Sequence, residues 1–322
     1  MVTNRTWRGL GAGLLAGAMW GLVFLLPALA RGFTPIQLTA GRYLAYGAIA
    51  CILAAPSWRR LAPMLGRAEW LGLAWLGLTG NIIYYLCLAG AVQLGGVAVA
   101  SLVIGLLPVT ITLAGSRDAG AVPLRRLGPS LLFGVAGIAA IGWPALSTLG
   151  AGPVPDAVLG LLCALGALAS WTAYAVGNSR WLARLHGVTS HEWSLMTGVA
   201  TGAMALLLAI PACGFAPRQH AAGEWAWFVV AVSTVALLCS VAGNALWNMA
   251  SRLLPLTLVG QVILFEVLFA LLYGFVWERR LPAAHEVCAM ALLGAGLLCS
   301  ALAHRAVVPA QARIRDDGFT AD

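Results

Sequence analysis

Residues 225–248 read WAWFVVAVSTVALLCSVAGNALWN, 24 consecutive positions without one charged side chain. About 20 apolar residues in a helix cross the hydrocarbon core of a bilayer, so this stretch alone is long enough to span it. Backbone groups in lipid must be satisfied internally, and the stretch lacks the polar/apolar alternation of an outer-membrane strand. It therefore predicts a transmembrane helix.

The same pattern recurs along almost the whole chain. Hydrophobic residues make up 61% of its 322 residues, charged residues only 9%, and the mean hydropathy is +0.89. A soluble protein carries charge on about a quarter of its residues, so lipid must cover the outside here. We predict an all-α integral membrane protein with ten transmembrane helices, at residues 9–30, 36–55, 70–92, 96–115, 127–147, 157–178, 193–213, 225–248, 256–277 and 285–303.

The connections between these spans are short and carry arginine. Gln93–Gly96 is predicted to form a tight turn between the third and fourth spans. If the N-terminus is cytoplasmic, 14 of the 19 arginines lie in cytoplasmic segments and 4 on the opposite side. This bias follows the positive-inside rule. We therefore predict a multi-pass protein of the bacterial inner membrane with both termini in the cytoplasm, and the net charge gives no reason to expect nucleic acid as a partner.

Weak internal similarity divides the chain into two halves. At an offset of 159 residues Asn81 pairs with Ser240, and the second and seventh spans open similarly at Thr34 and Thr189. Because five spans is an odd number, a second five-span unit must sit upside down in the membrane, as in many transporters. We predict an N-terminal repeat over 1–150, an inverted C-terminal repeat over 151–304 and a cytoplasmic tail over 305–322.

Several motifs, in order along the chain, resemble those of the drug/metabolite transporter superfamily in its ten-helix EamA-type branch. They are AMWG at 18–21, LTAGRYL at 38–44, ASLVIGLLPV at 100–109, FEV at 265–267 and WERRL at 277–281. The resemblance covers residues 7 to about 304 and is closest in character to the bacterial aromatic or broad-range amino-acid exporters. It implies transport of amino acids or related metabolites.

Polar and aromatic residues at membrane depth indicate where a pathway would run, because lipid disfavours them. In the third, sixth and eighth spans they recur at steps of three and four residues, which places each set on one helix face. For each set the alternative is an interhelical hydrogen-bond clamp or ordinary packing. The candidate substrate-cavity residues are Trp20, Arg42, Asn81, Tyr84, Tyr85, Ser101, Trp171, Tyr174, Ser240, Asn244, Asn248, Gln261 and Glu266.

Arg42 and Glu266 are the clear charges within the spans. Arg42 is expected to pair with backbone groups, with a substrate carboxylate, or to reach the membrane surface. Glu266 lies mid-span, where it would carry a proton, contact an ammonium group, or pack between helices in its neutral form. These alternatives remain open at the level of sequence.

The chain carries no signature of catalysis. HExxH, CxxC and phosphate-cradling glycine loops are absent, so we predict no enzyme, no metal site and no cofactor. The predicted function is export of amino acids or related small metabolites by alternating access through a cavity between helices 1–4 and 6–9. Alternatives are a multidrug or cationic-compound exporter, a nucleotide-sugar transporter and a non-transporting membrane protein. A homodimer and a monomer both fit, and proton coupling and facilitated diffusion are equally compatible with the sequence.

Overall fold

The computed structural model describes residues 4–25, 30, 32–118, 121–146, 154–214 and 220–305, and these residues are almost entirely helical, with no strand among them. The helices are α1 (Asn4–Gly21), α2 (Pro35–Ala54), α3 (Arg67–Gly77), α4 (Tyr84–Ile104), α5 (Leu107–Gly115), α6 (Leu124–Leu146), α7 (Val154–Arg184), α8 (Ser190–Gly214), α9 (Ala222–Val235), α10 (Asn244–Leu253), α11 (Leu256–Val262), α12 (Leu264–Glu278) and α13 (Ala284–Arg305).

Seven helical stretches in the described part are long and apolar enough to cross a membrane. The predicted all-α membrane fold is therefore confirmed, whereas the count of ten spans stays a prediction. The predicted boundary between the repeats, at residue 150, and almost all of the predicted tail fall outside the described residues.

The interruption between the third and fourth predicted spans differs from expectation. Helix α4 continues through the predicted turn at Gln93–Gly96 as far as Ile104, and the break falls at Gly105–Leu106. Pro108 then occupies the first turn of α5, where its missing N–H leaves no hydrogen bond unmade. Proline chemistry rather than the glycine pair thus sets this break.

Helices α2 and α8 begin with the same type of capping motif and lie in close contact. Thr34 and Gln37 form a reciprocal capping box before α2, and Thr189 and Glu192 form one before α8. The helices touch at Gly47 and Gly202, where a Cβ on Gly47 would lie 2.5 Å from the Gly202 Cα.

The two capping threonines, Thr34 and Thr189, are 155 residues apart in the sequence. The two contacting glycines, Gly47 and Gly202, are separated by the same number of residues. If the predicted repeat relates Gly47 to Gly202, its two-fold axis would pass between them. The inverted orientation itself stays a prediction.

Two π-helical segments lie at matching places in the halves. One runs from Leu78 to Ile83, before α4, and the other from Ala236 to Gly243, before α10. They contain Asn81 and Ser240, the pair matched at the 159-residue offset. π-Helical turns are rare and concentrate at functional sites. The two segments therefore indicate a functional role for the part of the bundle around Asn81 and Ser240.

Small residues bring α1 against α11 and α12. Gly13, Gly17 and Gly21 follow one stripe of α1, and a Cβ on Gly17 would lie 2.6 Å from Phe265 Cβ and 2.9 Å from the Glu266 nitrogen. Rows of small residues let membrane helices pack closely. Close packing matters because the hydrophobic effect does not drive helices together in lipid. The stripe thereby fixes the position of Glu266 inside the protein.

Helices α6 and α13 pack against each other. A Cβ on Gly137 of α6 would lie 2.8 Å from Leu293 of α13, and one on Gly296 would lie 3.1 Å from the Ser130 carbonyl. The two helices therefore meet through small residues on both sides.

Candidate functional site

Arg42 lies deep in the bundle and joins the two halves of the chain. Its side chain is buried, the residue being only 7% exposed, and its Nε donates a hydrogen bond to Ser240 Oγ at 3.2 Å. The guanidinium carbon lies 5.2 Å from the ring centroids of both Tyr43 and Tyr85, and these rings are nearly perpendicular. Two tyrosine rings and the Ser240 hydroxyl thus surround a buried cation, and among the described residues no acidic group is paired with it.

Glu266 is the other charged candidate within the spans. It is half-buried on α12, and its backbone nitrogen lies against Gly17 of α1. No ion pair joins Arg42 and Glu266 within the described residues. The two charges therefore lie on opposite halves of the chain and are not joined to each other by a direct ion pair.

Three tryptophans form a cluster beside this region. The ring centroids of Trp20 and Trp171 are 5.8 Å apart, and Trp247 lies 5.2 Å from each of them. Trp20 Nε1 donates to the carbonyl of Cys239 at 3.0 Å. We call Trp20, Trp171 and Trp247 the tryptophan cluster. Its rings are in contact, so in this conformation the space between α1, α7 and α10 is filled.

Two tyrosines extend the cluster. Tyr174 lies 5.5 Å from Trp171 and Tyr84 lies 6.3 Å from it, measured between ring centroids. The structure therefore brings together most of the aromatic candidates named from the sequence, with Arg42, Ser240 and Glu266 alongside. The side chain of Ser101, another candidate, lies outside the described residues.

The amide candidates make interhelical hydrogen bonds. Asn81 Nδ2 donates to Thr201 Oγ1 at 3.0 Å, and Asn248 Oδ1 accepts from Asn178 Nδ2 at 2.8 Å. Gln261 accepts from Ser130 and donates to Thr112, which ties α11 to α6 and α5. These groups act as clamps in this conformation, and a role in lining a cavity stays a prediction for them.

Asn244 makes a longer interhelical hydrogen bond than the amides described above. Its Nδ2 lies 3.5 Å from the Tyr46 hydroxyl, a long hydrogen bond, while that hydroxyl donates to the carbonyl of Ser194 at 2.7 Å. The long contact holds Asn244 less firmly than the other amides are held.

Sequence reasoning missed Trp247, Tyr43 and Tyr46. Trp247 is 1% exposed, and its Nε1 has no hydrogen-bond partner in the structure. Its spacing of three from Asn244 and seven from Ser240 places it on the polar face of the eighth span, which was the available signal. Tyr43 follows Arg42 directly, and Tyr46 lies four residues after Arg42, on the same helix face.

Known proteins resemble this chain in both sequence and fold. A model of the EamA-like transporter family matches residues 7–143. The inner membrane protein YtfF of Escherichia coli strain K12 is 33% identical over 306 residues, covering 88% of this chain and 92% of that protein. A solved crystal structure superposes with a TM-score of 0.69 at 23% identity, covering 92% of this chain and 98% of the other. That likeness shows a shared fold.

Proposed function

This chain belongs to the EamA-like transporter family, as the motifs predicted, and we propose that it carries amino acids or related small zwitterions across the bacterial inner membrane. The observation that carries the proposal is the placement of Arg42 and Glu266. They are opposite charges on different halves of the chain. Arg42 bonds to Ser240, next to Cys239, whose carbonyl accepts from Trp20, and the Glu266 backbone packs on Gly17 of the same helix α1.

An α-amino acid presents a carboxylate and an ammonium group on one carbon. The guanidinium of Arg42 offers donors in a planar fork that suits a carboxylate, and its Nε bonds to Ser240. Glu266 offers acceptors that suit an ammonium group. A zwitterion held between them would neutralise both buried charges, which neither an amine nor an acid alone achieves.

The substrate side chain would lie against the tryptophan cluster. Aromatic rings tolerate many apolar and polar groups, so this wall favours broad selectivity over tight recognition. Because the rings fill the space in the present conformation, entry of substrate requires α1, α7 and α10 to part. Rocking of one five-helix half against the other supplies that movement in alternating access.

A cationic-compound exporter is the second candidate. It is favoured by Glu266 and the tryptophan cluster, which together suit an organic cation. Arg42 opposes it, since a guanidinium buried within the bundle repels such a ligand. A nucleotide-sugar transporter would need several buried cations for the diphosphate, and among the candidate residues only Arg42 is a cation.

A thermal-shift screen on the purified protein tests the proposal. Ligands that bind only the folded state raise apparent stability by mass action. We expect an amino acid to stabilise the protein, and its decarboxylated amine and deaminated acid to do so much less at equal concentration. Stabilisation by the amine alone would favour the cationic-compound exporter, and no response to any amino acid would contradict the proposal.

A further inference from the structure

A concave region lies on the outer wall of the protein, and Arg42 is not among the residues that line it. It has a volume of about 810 Å³ and runs between α3, α5 and α7. Along α7 its lining extends from Leu165 to Arg180, which at the helical rise corresponds to about 22 Å. Leu165 and Trp75 on its rim are exposed, so the groove is open towards the surrounding lipid.

The interior of the groove is apolar. Leu168, Ala169, Ala173 and Val176 contribute carbon surface along α7. The hydroxyls of Thr110 and Thr172 also face it, but they bond to each other at 2.8 Å, and Thr172 donates to the carbonyl of Leu168. Those polar groups are satisfied, which leaves a surface suited to hydrocarbon.

One end of the groove is polar. Arg180 lies there, with its side chain 57% exposed, and the Trp75 indole nitrogen lies 3.8 Å from the place of a Cβ on Gly177, one turn earlier. Trp75 Nε1 makes no hydrogen bond within the part of the chain that the structure describes. Asp118 approaches Arg180 Nη2 at 3.7 Å, too far for a hydrogen bond, so the guanidinium keeps its donors.

We propose that this groove binds one anionic phospholipid, with acyl chain along α7 and phosphate on Arg180. A groove of about 22 Å is longer than one leaflet of hydrocarbon, about half of 30 Å, so it accommodates a chain together with its headgroup linkage. Arg180 supplies the charge for the phosphate, and Trp75 Nε1 supplies a donor at the level where indoles sit in membrane interfaces. The proposal is independent of the transported substrate.

The test uses the full-length protein in detergent, titrated with phosphatidylglycerol or with phosphatidylcholine of the same acyl chains. Native mass spectrometry counts retained lipid, and the thermal shift gives an apparent affinity. We expect one phosphatidylglycerol to be retained preferentially. Arg180→Gln should weaken its apparent affinity about five-fold, the effect of one basic residue near an anionic headgroup.

Matched variants separate a built site from general attraction to a basic surface. Arg184→Gln removes an exposed arginine one turn further along α7, outside the groove, and should leave the affinity unchanged. Asp118→Asn removes the competing carboxylate and should strengthen binding. Ala169→Phe fills an exposed position in the groove and should reduce retention of both lipids.

Equal losses in Arg180→Gln and Arg184→Gln would overturn the proposal, as would full retention of lipid by Ala169→Phe. Detection of two protein chains in place of bound lipid would show that a second copy occupies the groove, which would also overturn it. Because Arg180 and Arg184 are both exposed, neither variant is expected to disturb folding.

Discussion

Arg42 of α2 and Ser240 of the second π-helical segment are hydrogen-bonded at 3.2 Å across 198 residues of sequence. This bond connects the N-terminal and C-terminal halves at the depth of the buried charges. Ser240 orients the guanidinium through Nε. The pair is therefore both a structural link and a positioning device for Arg42.

Replacing Ser240 by alanine tests this role. The Nε of Arg42 would be left buried without an acceptor, at a cost of about 1.5–3 kcal/mol for a charged group. We expect a lower melting temperature together with weaker amino-acid binding. Ser130→Ala is the matched control, because Ser130 is also fully buried and donates to Gln261. It should lower stability by about 1 kcal/mol and leave binding unchanged; identical binding in both variants would argue against a positioning role for Ser240.

The glycine stripe on α1 gives a second prediction. Gly17→Ala places a methyl group 2.6 Å from Phe265 Cβ, and overpacking of this kind costs about 1–3 kcal/mol. Gly11→Ala on the same helix meets nothing within 4 Å and should be neutral or slightly stabilising. Thermal denaturation of the two variants in the same detergent measures the difference. Equal melting temperatures would show that α1 does not rest on α12 through Gly17.

The Asn178–Asn248 bond gives a third prediction. Asn178→Ala, Asn248→Ala and the double variant form a cycle, and the coupling energy for such a polar contact between membrane helices should be about 0.6–2 kcal/mol. Because the bond is a clamp in this conformation, we expect stability to fall with little change in affinity for substrate. A large loss of affinity without loss of stability would instead place these amides on the pathway.

Glu266 gives a fourth prediction. Glu266→Gln keeps the shape of the side chain and removes its charge, so amino-acid affinity should fall about ten-fold or more as one charge-assisted contact is lost. Affinity for the deaminated acid, which has no ammonium group, should not fall. Glu69→Gln, at the N-terminal end of α3, serves as the charge control and should bind like the parent protein. Equal losses for both ligands would assign Glu266 to packing.

The sequence was sufficient for the features that depend on one helix at a time. Composition and segment length predicted an all-α membrane protein, and helical spacing placed Tyr84, Trp171 and Tyr174 on interior faces, where their rings now meet. The similar openings at Thr34 and Thr189 proved to be equivalent capping boxes. These features follow from local periodicity and side-chain chemistry, which sequence displays directly.

Features that depend on contacts between helices could not be predicted from the sequence. Asn81 bonds to Thr201, 120 residues away, and nothing in either helix alone specifies that partner. Trp247 shares a helix face with Asn244, but the residues it contacts, Trp20 and Trp171, lie on other helices. The unbroken course of α4 through Gln93–Gly96 likewise depends on the helices that pack around it.

Counterflow in proteoliposomes tests the central claim most directly. Vesicles containing the purified protein are loaded with unlabelled amino acid, its decarboxylated amine or its deaminated acid, and uptake of the labelled amino acid is then followed. If Arg42 and Glu266 together bind a zwitterion, only the intact amino acid drives uptake, and Arg42→Gln abolishes the exchange. Uptake driven equally well by the amine, or unchanged in Arg42→Gln, would contradict the account.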